Sequence, residues 1–498
     1  MSTELAKLHN GVAVESSLIP ELELDSLRAA LLEAPDLRRR VAALFGYSPE
    51  GNAVELCAVL ADDDKSVLWA GRARVSGPVE SVTSRCPEAH LFERELVEQW
   101  GVELVGHPWL KPVRFPPSRS SASSTPVGVT DFYRVKGEEA HEVAVGPVHA
   151  GVIEPGHFRF QCHGEEVFHL EISLGYQHRG VERAMVGGPT KRTIHHVETL
   201  AGDTSIGHAL AHCHAMEALS GAAVPARAQA LRGAALELER LANHTGDLGA
   251  LAGDVAFLPT ASYCGRLRGD FLNMTAVLCG NRFGRGLVRP GGVALDVDGK
   301  LATELLSRLR SARRDVEGPV KLLWTTTSVQ ARFEGTGVLE EDVARSIGLV
   351  GVAARASGLR RDVRRDHPTG IYQFVQLPVT TWHTGDVFAR AFVRGLEIGT
   401  SCTFVEERFE NLPEGSSINR DLPAPRPDHF VVSLVEGWRG EICHVASTGA
   451  DGRFRFYKIV DPSFHNWTGL AVALRGQQIS DFPLCNKSFD LSYCGHDL

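Results

Sequence analysis

"ARAQALRGAALELERLANHTGDLGALAG", residues 226–253, decides the core of this chain. Apolar residues recur there at three- and four-residue steps over many turns, the period of an amphipathic helix. The preceding "IGHALAHCHAMEALSGAAV" (206–224) repeats the pattern, so a long helical region is predicted from about 191 to 250. Further helix is expected at "LATELLSRLRSARRDVEG" (301–318) and at 385–412. Strand-like pieces flank this core. They are "EVAVGPVH" (142–149), "HFRFQCHGEEVFHLEISLG" (157–175) and a hairpin with a "GADG" turn within 429–461.

Upstream, "RFPPSRSSASSTPVGVT" (114–130) is rich in Ser, Pro and Thr and offers little to a core, the composition of a linker. The unit before it has the size of one small domain. Residues 23–47 carry helical apolar spacing, and 52–75 read as strands around an Asp-rich turn. The fold class is therefore α+β. A small α/β domain (1–113) and a linker (114–130) precede a mainly helical domain with small β pieces (131–498). The N-terminal domain is expected to pack on its own apolar surface.

Composition narrows the function. The net charge of −9 argues against nucleic-acid binding, which needs a basic surface. No apolar run is long enough for a transmembrane helix, and the first residues lack the apolar core of a secretory signal. The ten cysteines include no CxxC pair, so no local zinc or iron–sulfur framework is legible. Scattered cysteines without an export signal read as reduced, buried cytosolic thiols. Phosphate-loop, GxGxxG, GxSxG and HExxH motifs are all absent.

Several stretches carry a family resemblance. "FERELVEQWGVELVGHPWLKPVRFP" (92–116) resembles the ERExxDxxG…GHP signature of the C-type subunit of respiratory complex I, with Glu98 where Asp is usual. "GPVHAGVIEPGHFRF" (146–160), "LGYQHRGVERAM" (174–185), "LELERLANHTGDLGALAGD" (236–254), "VRPGGV" (288–293), "ASGLRRDVRRDHPTG" (356–370) and "DPSFHNW" (461–467) resemble the D-type subunit. They are more similar still to the large subunit of the group 4 nickel–iron hydrogenases, such as formate hydrogenlyase. The fusion of a C-type unit to a large-subunit unit is also a feature of that branch.

That family holds its Ni–Fe centre with two cysteine pairs. Laid on the first motif, "ETLAGDTSIGH" (198–208) puts Ala201 and Thr204 at the cysteine positions. Laid on the second, "FDLSYCGHDL" (489–498) puts Ser492 and Gly495 there, with Cys494 one residue out of register. Soft thiolates bridge such metals, and Ala, Gly or neutral hydroxyls do not replace them. The resemblance therefore implies a remodelled site with no metal. The quinone-binding pair of complex I is not intact either: Gly202 stands at its tyrosine, and His157, in a hydrogenase-like context, has no secure counterpart.

The candidate catalytic or proton-relay residues are Glu154, Asp203, His208 and His496, and the candidate cavity or near-cluster residues are His157, Arg364, Gly202 and Ser492. Glu154 aligns with a proton-passing glutamate, or it is ion-paired to an arginine. Asp203, His208 and His496 sit on the two remodelled loops, where they line a cavity or satisfy one another as buried polar groups must. Asp203 and His208 are expected to face His496 and Asp497, each carboxylate raising its partner imidazole's pKa. Arg361, Arg364 and Arg365 match a motif near the partner cluster, one tuning its potential and the others forming a solvated face.

What the resemblance implies is an oxidoreductase subunit that binds no cofactor itself. Electrons would arrive from a 4Fe-4S cluster in a B-type small subunit and pass to quinone or another small acceptor. Membrane subunits of complex I or antiporter type would hold it on the inner face of the cell membrane, with the chain itself cytoplasmic. The alternative is a non-catalytic subunit bracing an ion-translocating membrane module.

Overall fold

The computed structural model describes residues 4–48, 53–116, 126–137, 139–149 and 153–498. The expected helical core is present. Helices Ser205–Ser220, Ala226–Asp254 and Leu258–Cys279 follow one another, and Gly299–Thr325 and Val387–Glu410 pack against them. Ala226–Asp254 sits at the centre, flanked by the 258–279 and 387–410 helices, which explains why it is apolar around much of its circumference. Among the described residues no helix is long and apolar enough to cross a membrane.

In the N-terminal part, Arg40–Tyr47, Glu55–Asp62 and Val67–Arg74 form an antiparallel meander closed by Ala6–Leu8. The helical reading of 23–47 holds only to Glu33. Pro35 cannot continue the helix, and "RVAALFGY" then pairs as a buried strand.

The expected separate packing of the N-terminal unit is corrected by the core itself. Leu44, Phe45, Leu56 and Phe92 share one hydrophobic cluster with Phe430, Val432, Val445 and Phe464. Val14–Glu15 adds a strand to the sheet of His429–Glu436, Glu441–Thr448 and Phe454–Val460, so the expected hairpin is three strands of a four-stranded sheet. Buried ion pairs cross the same boundary, including Arg40 to Glu441 at 2.6 Å and Lys458 to Glu95 at 2.7 Å. Of the expected linker, Arg114 and Phe115 are buried, and Arg114 pairs with Glu95 and donates to the His496 carbonyl at 2.7 Å. Residues 117–125 lie outside the described residues.

Candidate functional site

Two segments far apart in sequence build the site. The first is the turn Ala201–Thr204, which opens the 205–220 helix. Asp203 adopts φ 62°, a left-handed conformation rare outside glycine, and its carbonyl is fixed by Asn243 Nδ2 (2.9 Å) and Trp438 Nε1 (3.0 Å). Arg439, lying over the Trp438 ring, donates to the Gly202 carbonyl at 3.0 Å and to Thr204 Oγ1 at 3.1 Å. The second is the terminal helix Tyr493–Asp497, capped by Ser492, whose hydroxyl accepts from the Gly495 amide at 2.9 Å.

These segments touch at Cys494. The Gly202 amide donates to its sulfur at 3.3 Å, and the Ser492 hydroxyl lies 3.4 Å from the same atom. Glu154 accepts from the Tyr493 amide (3.2 Å) and the Cys494 amide (3.4 Å), so three of the singled-out residues, Glu154, Gly202 and Ser492, gather around one thiol. Burial, and then the Glu154 charge, push that thiol up to about 11, which makes it a neutral S–H at physiological pH. A side chain at Gly202 would meet nothing within 4 Å, whereas one at Gly495 would strike the Asp461 carboxylate at 2.7 Å. The donor set at the junction is thus one neutral thiol, hydroxyls and carboxylates. It does not fit a four-thiolate Ni–Fe centre.

The expected pairing across the loops is not what forms. Asp203 bonds Arg268 at 3.3 Å near the surface. His496 turns to its neighbour Asp497, with Nδ1 3.0 Å from Oδ1, and stacks on Phe464. Burial outweighs the Asp497 charge, so the His496 pKa falls rather than rises. Asp497 in turn accepts from the Gly175 and Gln177 amides, at 2.8 and 2.9 Å. His157 opens the strand His157–His163, with Nδ1 3.0 Å from the Gly146 carbonyl and its ring against Phe132.

His208 is the sequence-derived candidate with the richest surroundings. It is fully buried, with Nε2 3.0 Å from Asp461 Oδ2 and Nδ1 3.1 Å from His444 Nε2. Burial pushes the Asp461 carboxyl up, but the hydrogen bonds from His208 and Ser463 and the nearby Arg439 charge outweigh it and hold the carboxyl below its ordinary value. Sequence reasoning missed Asp461, His444 and Tyr457. The spacing of His208 and His212, one turn apart on one helix face, was the signal available. Their partners come from the 441–461 strands, which nothing local connects to that helix.

Arg364 belongs to a second buried cluster. It makes a two-pronged contact with Asp362 (2.9 and 2.6 Å) and reaches Glu237 at 3.1 Å. Arg355 bridges Glu397 (2.9 Å) and Glu436 (2.7 Å), and Arg240 bonds Glu237 at 3.0 Å. Burial pushes Glu237 up, yet Arg240 and Arg364 bring it down to about 2. Arg365 is half-exposed beside Asp366, and Arg361 is largely buried with its guanidinium donating to the Leu349 carbonyl, so of the three only Arg365 resembles a solvated face. Among the described residues no group of three His, Cys, Asp or Glu is arranged to hold a metal ion.

Comparison with known proteins places the chain. A family model described as the respiratory-chain NADH dehydrogenase 30 Kd subunit matches residues 25–121, and one described as the 49 Kd subunit matches 254–429. Formate hydrogenlyase subunit 5 of Escherichia coli (strain K12) is 31% identical over 436 residues, covering 83% of this chain and 76% of that protein. The chain belongs to the family of complex I 49-kDa subunits and related hydrogenase large subunits. Within this complex I–hydrogenase family, the carbon monoxide-induced hydrogenase of Rhodospirillum rubrum is 32% identical over 357 residues (70% of this chain, 97% of that protein). NADH-quinone oxidoreductase subunit 4 of Thermus thermophilus is 29% identical over 379 residues (71% and 92%). The chain is thus an oxidoreductase-related subunit in which 30-kDa-like and 49-kDa-like parts are fused.

Proposed function

We propose that this chain is the large subunit of a membrane-attached, complex-I-like oxidoreductase without a Ni–Fe centre. Electrons come from a 4Fe-4S cluster in a B-type small subunit and reduce quinone or another small acceptor beside the Gly202–Cys494 junction. Membrane subunits of complex I or antiporter type hold it, peripherally, on the inner face of the cell membrane. The observation that supports this best is the meeting of the two remodelled loops, with open space on the Gly202 side. Reducing a quinone takes two electrons and two protons. Electrons can tunnel from a neighbouring cluster, whereas protons need a chain of titratable groups within hydrogen-bond reach. The buried His208–Asp461 pair, directly behind Gly495, supplies such groups.

The test is purification of the intact complex, with electron paramagnetic resonance of its clusters and turnover with a short-chain quinone. Asp461→Asn keeps the volume but removes the anion, and is expected to lower turnover at least tenfold while the cluster signals persist. The alternative, a subunit that braces an ion-moving module without chemistry of its own, draws on the tight contact of Gly495 with Asp461. Unchanged turnover in Asp461→Asn and His208→Gln would favour it.

A further inference from the structure

The hydrogen bonds of His208 do not end at His444. His444 Nδ1 lies 2.9 Å from the Tyr457 hydroxyl, and the same hydroxyl lies 2.9 Å from His212 Nδ1. With His208 at 3.1 Å from His444 and 3.0 Å from Asp461, five groups form one unbroken buried chain. At one end the Asp461 carboxylate presses on Gly495, at the loop junction. Near the other end, Tyr457 is among the residues lining an open cleft of about 830 Å³, together with Tyr47, Trp100, His178, Glu182 and Arg183. We infer that Asp461–His208–His444–Tyr457–His212 is a proton wire leading from His212, beside the cleft-lining Tyr457, to the loop junction. It rests on the oxidoreductase reading only for the use made of the proton.

The chain has one self-consistent polarity. Asp461 accepts from the Ser463 amide at 2.8 Å through Oδ1, so its other oxygen acts as acceptor toward His208 Nε2–H. His208, donating through Nε2, then offers its Nδ1 lone pair to His444 Nε2–H, and His444 offers Nδ1 to the Tyr457 O–H. Tyr457 in turn accepts from His212 Nδ1–H, leaving His212 Nε2 as the free acceptor. Burial lowers the His444 pKa far below 6.5 and that of His212 to about 4, so both rings rest neutral with one lone pair each. A proton from water arriving at His212 Nε2 moves the chain by one hop per link. His212 passes Nδ1–H to Tyr457, Tyr457 to His444, His444 to His208, and His208 passes Nε2–H to Asp461. One proton enters, one appears on the Asp461 carboxyl, and each intermediate group again holds one proton, with every imidazole now the opposite tautomer. The return flow, by the same links in reverse, restores the start.

A buried chain of this kind with no conducting role would exchange its N–H protons only by local opening of the fold. The experiment therefore follows deuterium exchange at the imidazole N–H groups in the purified complex carrying 15N-histidine, by nuclear magnetic resonance. The expected wild-type pattern is Nε2–H on both His208 and His444, with exchange far faster than that of buried amides in the 205–220 helix. Tyr457→Phe keeps the ring and removes the hydroxyl, and is expected to slow His208 exchange at least tenfold. Nδ1–H on His208, or equal exchange rates in wild type and Tyr457→Phe, overturns the wire. If Tyr457→Phe does not assemble, the wild-type tautomers and rates decide alone. Slow wild-type exchange sinks the proposal, whereas fast exchange in a complex that reduces no quinone upholds the wire and removes the oxidoreductase reading.

Discussion

The Gly202 amide and the Cys494 sulfur lie 3.3 Å apart although 292 residues separate them in the chain. This contact joins two loops that, on the family resemblance, carry the cysteine pairs of the nickel-bearing branch, with Ala201, Thr204, Ser492 and Gly495 expected at those positions. The purified chain is accordingly expected to hold no stoichiometric nickel. Elemental analysis returning about one nickel per chain would reverse the assignment.

Cys494 is expected to be an unreactive thiol. With its pKa pushed up to about 11, the thiolate at pH 8 is roughly a thousandth of the total, so alkylation should run about two orders of magnitude slower than for a free cysteine. Glu154→Gln removes the charge that adds to the effect of burial, and should speed labelling of the Cys494 peptide measured by mass spectrometry. Labelling that is fast in the wild type, or unchanged in the variant, contradicts this placement.

Glu239 should give the fold a negative slope of stability with pH. Its carboxylate oxygens accept from the Ile206 amide (2.7 Å) and the Gly207 amide (3.1 Å), at the start of the helix that carries His208. Burial, opposed by those amides and reinforced by Asp203, raises its pKa from 4.5 to about 8. Between those values the folded state binds more protons than the unfolded one, so stability is highest below pH 4.5 and is lost as pH rises toward 8. The contribution is at most about 1.4 kcal/mol per pH unit. Denaturant titrations from pH 5 to 8.5 should show this slope, and Glu239→Gln should flatten it. The variant should be less stable at pH 5, because an amide nitrogen cannot accept one of the two backbone hydrogens.

Cleavage of the chain near its Ser- and Pro-rich stretch should not separate the two parts. Limited trypsinolysis is expected to cut first at Arg119, on composition alone, with the fragments still eluting together because the core and the Glu95–Lys458 pair span the boundary. Glu95→Ala leaves Lys458 and Arg114 buried without their shared anion and is expected to cost about 3–5 kcal/mol, enough to release the N-terminal fragment from nicked protein. Even cutting through both halves would contradict first cleavage in that stretch, and fragments that part in the wild type would refute the shared core.

What the sequence determined by itself is whatever repeats locally. The helix period of 226–253 and the turn "GADG" report short-range geometry, and the ordered motifs placed the chain in its family and its two loops at one site. Partners chosen by the fold were not legible. His496 stands two residues from Cys494, yet it pairs with Asp497 instead of crossing to Asp203. His208 finds Asp461 and His444 through strand pairing some 240 residues downstream, and Arg114, inside a linker-like stretch, is buried against Glu95. A buried charge or imidazole must be satisfied, but sequence says only that it needs a partner. Which one it meets is set by how helices and strands stack, and that is decided by burial of the whole apolar surface rather than by any neighbour in the chain.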